Sequence, residues 1–205
     1  MMEKGVESGH PIHNITGVIL AGGQSSRFGS NKALAAHGDK LLIQHVTDTI
    51  SSLFSSCLLV TNTPETYSFL NLPMTGDIYL DMGPLAGIHA ALVKIKTDWA
   101  FVTACDMPSL NPVLIKYLCG LTAEQFDAVV PWPALGPEPL YGLYHRKSLP
   151  IIEKRLKKKQ VAIHEVLTEL SVHRVGEEEI MGITGDRNTF HNINRPEDLA
   201  PDSEQ

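Results

Sequence analysis

Cysteine is scarce in this chain: three occur among 205 residues, Cys57, Cys105 and Cys119, and none forms a CxxC pair. That spacing supports neither a disulfide framework nor a zinc site, and it fits a reducing cytoplasm. The nine histidines show no ligand spacing either. Long apolar runs are missing. No stretch approaches the ~20 residues needed to cross a bilayer, and Met1 to Asn14 lacks the apolar segment of a secretory signal, so a cytoplasmic chain without a membrane partner is expected. Positive charge is short as well, with 17 Lys and Arg against 23 Asp and Glu for a net charge of −6. Nucleic-acid binding needs a broad cationic surface, so no nucleic-acid partner is expected and any phosphate site has to be local. There is no internal repeat and no low-complexity tract. The length suits one compact domain with a sizeable core.

Apolar and β-branched residues from Ile15 to Leu20 break at Ala21-Gly22-Gly23, as a buried parallel strand does when it opens into a loop. Leu42, Val46, Ile50 and Leu53 then share one helical face. The alternation continues: Cys57 to Thr61 reads as a strand, Pro64 to Leu70 as a short helix, Ile78 to Leu80 as a strand, Pro84 to Lys94 as a helix, Trp99 to Thr103 as a strand, and Pro112 to Leu121 as a helix with proline at its start. Such alternation implies right-handed crossovers and a parallel sheet covered on both faces, an α/β fold. Beyond Asp127 the pattern changes. Ala128 to Pro131 and Tyr141 to Tyr144 are strand-like but are separated by a rigid proline-rich loop, so this half is read as mixed. Two amphipathic stretches, Ser148 to Lys158 and Ala162 to Leu170, precede a strand near His173 to Val175 and a last segment starting at Asn192. The chain divides into an extension over 1–14, one domain over 15–199 and a tail over 200–205.

Chemistry concentrates in Leu20-Ala-Gly-Gly-Gln-Ser-Ser-Arg27-Phe-Gly-Ser-Asn-Lys32, directly after the first strand. Glycines there let the backbone approach a polyphosphate, exposed N–H groups can cradle its oxygens, and Arg27 and Lys32 supply the cations that a net-acidic chain needs locally. The segment is neither a GxxxxGK(S/T) loop nor GxGxxG, which removes the best anchor for an ATPase or a dinucleotide-dependent dehydrogenase. A plain Gly/Ser-rich turn is the bland alternative. Asp106 follows an apolar strand at the carboxyl edge where open α/β sheets bind ligands, and a carboxylate there can hold Mg²⁺ together with substrate phosphates and water. Its bland alternative is a cap on the next helix or turn.

The glycine loop resembles the signature of the molybdenum cofactor guanylyltransferases, nucleotidyltransferases with a glycosyltransferase-A-like fold. Gly83-Pro84-Leu85-Ala86-Gly87, Cys105-Asp106-Met107-Pro108 and Asn192-Ile-Asn194-Arg-Pro196-Glu-Asp198-Leu match in the family's order, and the likeness covers Ile15 to Leu199. It implies a single three-layer α/β/α domain of the nucleotide-diphospho-sugar transferase type. The implied reaction is transfer of GMP from GTP to molybdenum-molybdopterin with release of pyrophosphate, and the implied cofactor is Mg²⁺ on Asp106. Arg27, Lys32 and Asp106 are the implied catalytic residues. Leu20, Ala21, Gly22, Gly23, Ser25, Lys32, Asn62, Asp81, Gly83, Asp106, Asn192 and Asn194 are the implied ligand-binding set.

Several positions keep two readings. Asn62 matches a base- or ribose-contacting asparagine or is a turn residue. Asp81 holds the family's acidic position, but its connection to Gly83 is shorter than usual, which leaves Asp77 as a rival. Asn192 and Asn194 face the active site in the family, while Asn194 also suits a cap for a helix started by Pro196. Phe28 and Asn31 depart from the common Met and Asp, and the second change removes a carboxylate beside Lys32. Glu138-Pro139-Leu140-Tyr141-Gly142-Leu143-Tyr144 resembles the family's acceptor-side segment, or is a proline-bounded strand. The Lys/Arg run from Lys154 to Lys159 is read as a solvated helix face rather than a phosphate or partner site. Leu-Ala-Gly-Gly points to GTP, whereas the cytidylyl relatives carry Leu-Ala-Ala-Gly. The other readings are cytidylyl transfer to the same acceptor and a silent nucleotide-binding module that delivers cofactor; molybdopterin-insertion proteins and apo-molybdoenzymes are the implied transient partners.

Overall fold

The computed structural model describes residues 11–22, 31–186 and 189–190. Among these residues, seven strands form one sheet in the order β5-β4-β1-β6-β8-β7-β9. They are β1 (Ile12–Leu20), β4 (Phe54–Val60), β5 (Met74–Thr75), β6 (Trp99–Ala104), β7 (Ala128–Trp132), β8 (Tyr141–His145) and β9 (Val172–Gly176). A two-residue pair, β2 (Ala36–His37) and β3 (Lys40–Leu41), makes a separate hairpin. β1, β4, β5 and β6 are mutually parallel; β8 is antiparallel to both β6 and β7, and β9 is parallel to β7. The parallel first half and mixed second half anticipated from the sequence are both present.

Helices cover both faces. Side chains of odd-numbered Ile15, Ile19, Phe101, Val129 and Leu143 pack with α1 (Leu42–Leu53), α3 (Pro112–Gly120) and α6 (Glu177–Thr184). Their even-numbered neighbours Val18, Leu20, Ala100, Val102, Ala128 and Val130 pack with α2 (Gly83–Lys94), α4 (Leu149–Lys157) and α5 (Ile163–Glu169). Period-two alternation on strands buried on both sides thus produces the α/β/α sandwich. The α1 layer lies so close to β1 that a Cβ on Gly17 would sit 2.5 Å from Ile50 Cγ2 and 2.8 Å from a Phe54 ring carbon. Glycine at this strand position is a packing requirement.

Three local readings change. Residues 78–80 are not a strand: the edge strand is Met74–Thr75, which pairs with Leu59 and Val60, while Ile78 and Leu80 are 57% and 63% exposed. The chain leaves the sheet at Gly76 because Asp77 bonds to Asn62 instead of continuing the ladder. The first strand starts at Ile12, paired with Phe54, so residues 12–14 belong to the sheet and not to an extension. Helix α6 was not anticipated, since Ile180 is its one fully buried side chain among the described residues; Glu177, Glu178 and Glu179 favour its first turn and Gly185, at φ 67°, ends it.

Candidate active site

The three central parallel strands set the site. β4 lies on one side of β1 and β6 on the other, so the chain reverses its direction of travel across the sheet at β1, and loops leaving neighbouring strands diverge. A cleft of about 1380 Å³ opens at this carboxyl edge. β1 stays in the ladder one step past its end, with Ala21 N–H donating to Val60 O at 2.9 Å and Cys105 N–H to Leu20 O at 3.2 Å. The backbone then enters the cleft at Gly22, where an added Cβ would meet nothing within 4 Å among the described residues.

Lys32 and Asp106 meet there. Lys32 Nζ lies 2.9 Å from Asp106 Oδ2, with the two side chains 12% and 26% exposed. Lys32 opens a short 3-10 helix, Lys32–Leu34, capped by Asn31, whose Oδ1 accepts from Ala33 N–H at 3.2 Å. The Asn31 Nδ2 donates to the buried Tyr67 hydroxyl at 2.9 Å. Asn31, where the resembled family commonly has Asp, therefore satisfies a buried phenol, and the carboxylate facing Lys32 comes from Asp106. Asp106 does not cap the following helix: Asn111 does, accepting from Val113 and Leu114 N–H at 2.9 and 3.1 Å.

On the β4 side, Asn62 and Asp77 form a reciprocal pair. Asn62 Nδ2 donates to Asp77 Oδ2 at 2.9 Å, and Asp77 N–H donates to Asn62 Oδ1 at 2.8 Å. Burial pushes the Asp77 carboxyl above its ordinary range, the Asn62 hydrogen bond opposes the shift, and the nearby Asp81 charge adds to it. Asp81 lines the same cleft from the left-handed region, φ 58°, two residues before Gly83 at φ 64°. The structure thus brings both rival carboxylates to one rim, and Asp77 is the one bonded to Asn62. Leu20, Ala21, Gly22, Lys32, Asn62, Asp81, Gly83 and Asp106 all line the cleft. Gly23, Ser25, Arg27, Asn192 and Asn194 lie outside the described residues.

Two further groups limit the chemistry. Burial, reinforced by the Asp106 charge, pushes the Cys105 thiol up to about 12, which disfavours its thiolate. Arg155 is paired with Glu165 at 2.9 Å and also with Glu169; Lys154 reaches Glu169 at 3.5 Å and Lys157 reaches Glu153 at 2.9 Å. The Arg155 and Lys154 contacts tie α4 to α5, the Lys157–Glu153 pair lies along α4, and all agree with reading the run as a solvated face. Sequence reasoning missed Tyr67, and it left Glu138 inside an acceptor-like segment with no role of its own. Glu138 lines the cleft from the β8 side, and burial pushes its carboxyl up.

Residues 17–175 match the model of the MobA-like NTP transferase domain. A molybdenum cofactor guanylyltransferase from Desulfosudis oleivorans is 37% identical over 186 residues, covering 90% of this chain and 92% of the relative. A probable molybdenum cofactor guanylyltransferase from Carboxydothermus hydrogenoformans is 36% identical over 187 residues, covering 91% and 94%. Among solved structures, molybdopterin-guanine dinucleotide biosynthesis protein A from Archaeoglobus fulgidus superimposes with a TM-score of 0.78 at 27% identity, covering 90% of this chain and 94% of that one. With one cleft, one fold and nearly full-length similarity in agreement, the chain belongs to the molybdenum cofactor guanylyltransferase family within the MobA-like NTP transferases.

Proposed function

We propose that this chain transfers GMP from GTP to molybdenum-molybdopterin, releasing pyrophosphate and forming the guanine dinucleotide cofactor. The observation that carries the reading is the Lys32–Asp106 pair, 2.9 Å apart at the divergence of β1 and β6 in a cleft large enough for two ligands. The attacking group is a phosphate, already ionised at neutral pH, so no strong general base is needed. Catalysis rests on alignment and on neutralising charge at the α-phosphate and the leaving group.

Each residue then has a task. Backbone N–H groups from Gly22 onward hold the triphosphate, Asn62 and the adjoining carboxylates Asp77 and Asp81 hold the nucleoside, and Lys32 with Arg27 offsets charge on the departing pyrophosphate. Asp106 suits Mg²⁺. Its carboxylate is a hard oxygen donor, and the described residues contain no cluster of three or more His, Cys, Asp or Glu side chains, which fits an ion that takes one or two carboxylates and completes its shell with phosphates and water. When bound, the ion supplies electrostatic polarisation of the α-phosphate. Asn192 and Asn194 are proposed to complete the site from the C-terminal segment. The product would pass to molybdopterin-insertion proteins and apo-molybdoenzymes in the cytoplasm.

The test is pyrophosphate release by the purified protein with Mg²⁺ and molybdenum-loaded pterin, with GTP, CTP, ATP and UTP offered separately. Release with GTP alone is expected. Release with CTP would overturn the base assignment, and nucleotide binding without release in any case would overturn the catalytic reading.

A further inference from the structure

The β8 end of the cleft presents a carboxylate from a loop whose backbone is held by hydrogen bonds. Glu138 lies between Pro137 and Pro139 in the connection from β7 to β8. Its N–H donates to Pro131 O at 3.0 Å, and its carbonyl accepts from Tyr141 N–H at 3.1 Å. The hydroxyl of fully buried Tyr144 donates to Pro139 O at 2.8 Å, and Ala134 N–H donates to Glu177 Oε2 at 3.1 Å. Two prolines and four hydrogen bonds hold this loop against the sheet and the start of α6. The half-buried Glu138 side chain lines the cleft beside Pro139, Leu140 and Met107, and among the described residues its carboxylate has no hydrogen-bond or ion-pair partner.

A carboxylate at the edge of a polyphosphate site repels phosphates, so it has to face a part of a ligand that carries donors. The pterin of the proposed acceptor offers such a face, because the ring N–H and the exocyclic amine of its 2-amino-4-oxopyrimidine ring lie side by side and match a carboxylate in bidentate fashion. Guanine carries the same edge, and position separates the two. Asn62 follows β4, with Asp77 bonded to it from the end of β5, and Glu138 precedes β8, three strand spacings of about 4.8 Å from β4, or roughly 14 Å, with Lys32 and Asp106 between them. A nucleotide whose α-phosphate sits at Asp106 and whose base lies on the β4 side cannot also reach Glu138.

We propose that Glu138 binds the 2-amino-4-oxopyrimidine edge of the acceptor pterin and selects it over pteridines that lack the amine. The proposal rests on the acceptor named under the proposed function. Its test needs no turnover: fluorescence titration of the wild-type protein and Glu138→Gln with 6-hydroxymethylpterin and with 6-hydroxymethyllumazine, where a carbonyl replaces the amine, beside a GTP titration of both proteins. The wild type should favour the pterin by about tenfold or more, the variant should lose that preference, and GTP affinity should be the same in both. Absence of preference in the wild type, preference retained in the variant, or a loss confined to GTP overturns the assignment. Failure of guanylyl transfer itself would show separately, as active-site protein that releases no pyrophosphate.

Discussion

Three carboxylates on the rim of one cleft are held in different ways. Asp106 is bound to Lys32 and Asp77 to Asn62, whereas Glu138, at the far end, has burial without a partner among the described residues. The first two sit where a single chain reversal brings loops together and the protein supplies its own counter-groups. The third sits where a rigid proline loop presents a carboxylate to whatever enters. The difference teaches that the central carboxylates are preorganised by the protein, while the β8 end presents one that the described residues leave unpaired.

The largest expected effect breaks the preorganised side. Asp106→Ala should lower kcat by about 100- to 1000-fold in pyrophosphate release while the fold is kept, because it removes one fixed charge partner of the reacting phosphates. Full activity in that variant would remove Asp106 from the mechanism. The sheet beneath gives the next largest effect. Gly17→Ala should cost about 1–3 kcal/mol in denaturant unfolding, since the new Cβ overlaps Ile50 and Phe54, and the protein that remains folded should keep its kcat. Asn62→Ala should raise KM for GTP by about tenfold at little change in kcat, the size of one lost hydrogen-bonded contact and its unpaired neighbour. An effect on acceptor KM instead would reverse the two ends of the cleft.

The smallest effect concerns stability against pH. Burial raises the Glu138 carboxyl above its unfolded value, so the native state keeps this proton to a higher pH than the unfolded chain does. Its contribution to stability is full below the ordinary glutamate value, roughly pH 4, and is lost as pH rises through the raised value. Glu138→Gln removes that loss. Its melting temperature should exceed that of the wild type at neutral pH and converge with it in acid; equal melting temperatures at pH 7 would mean that the carboxylate is not penalised by burial.

Much of this was legible in the sequence, for reasons that can be named. Strands β1 and β6 and the second half of β4 are buried on both faces, so their apolar runs stand out, and the glycine loop after β1 is marked by composition. The edge strand was misplaced because a run of three apolar residues carries no period, and the Asn62–Asp77 bond decides where the chain leaves the sheet. The two-residue hairpin of β2 and β3 is too short for any pattern, and α6 buries too little to show one. Within the site, Lys32 and Asp106 were identified separately by motif position, but their ion pair spans 74 positions and only the sheet order joins them. Tyr67 was missed because its partner, Asn31, read as a lost carboxylate when it is in fact a cap and a hydrogen-bond donor.

The most direct test of the central claim follows phosphorus through one turnover, with GTP labelled either at the α- or at the γ-phosphate and supplied with Mg²⁺ and molybdenum-loaded pterin. The account predicts that the α-label appears in the pterin dinucleotide and the γ-label leaves as pyrophosphate. A γ-label on the pterin, or an α-label that never leaves the nucleotide pool while GTP is bound, would contradict it.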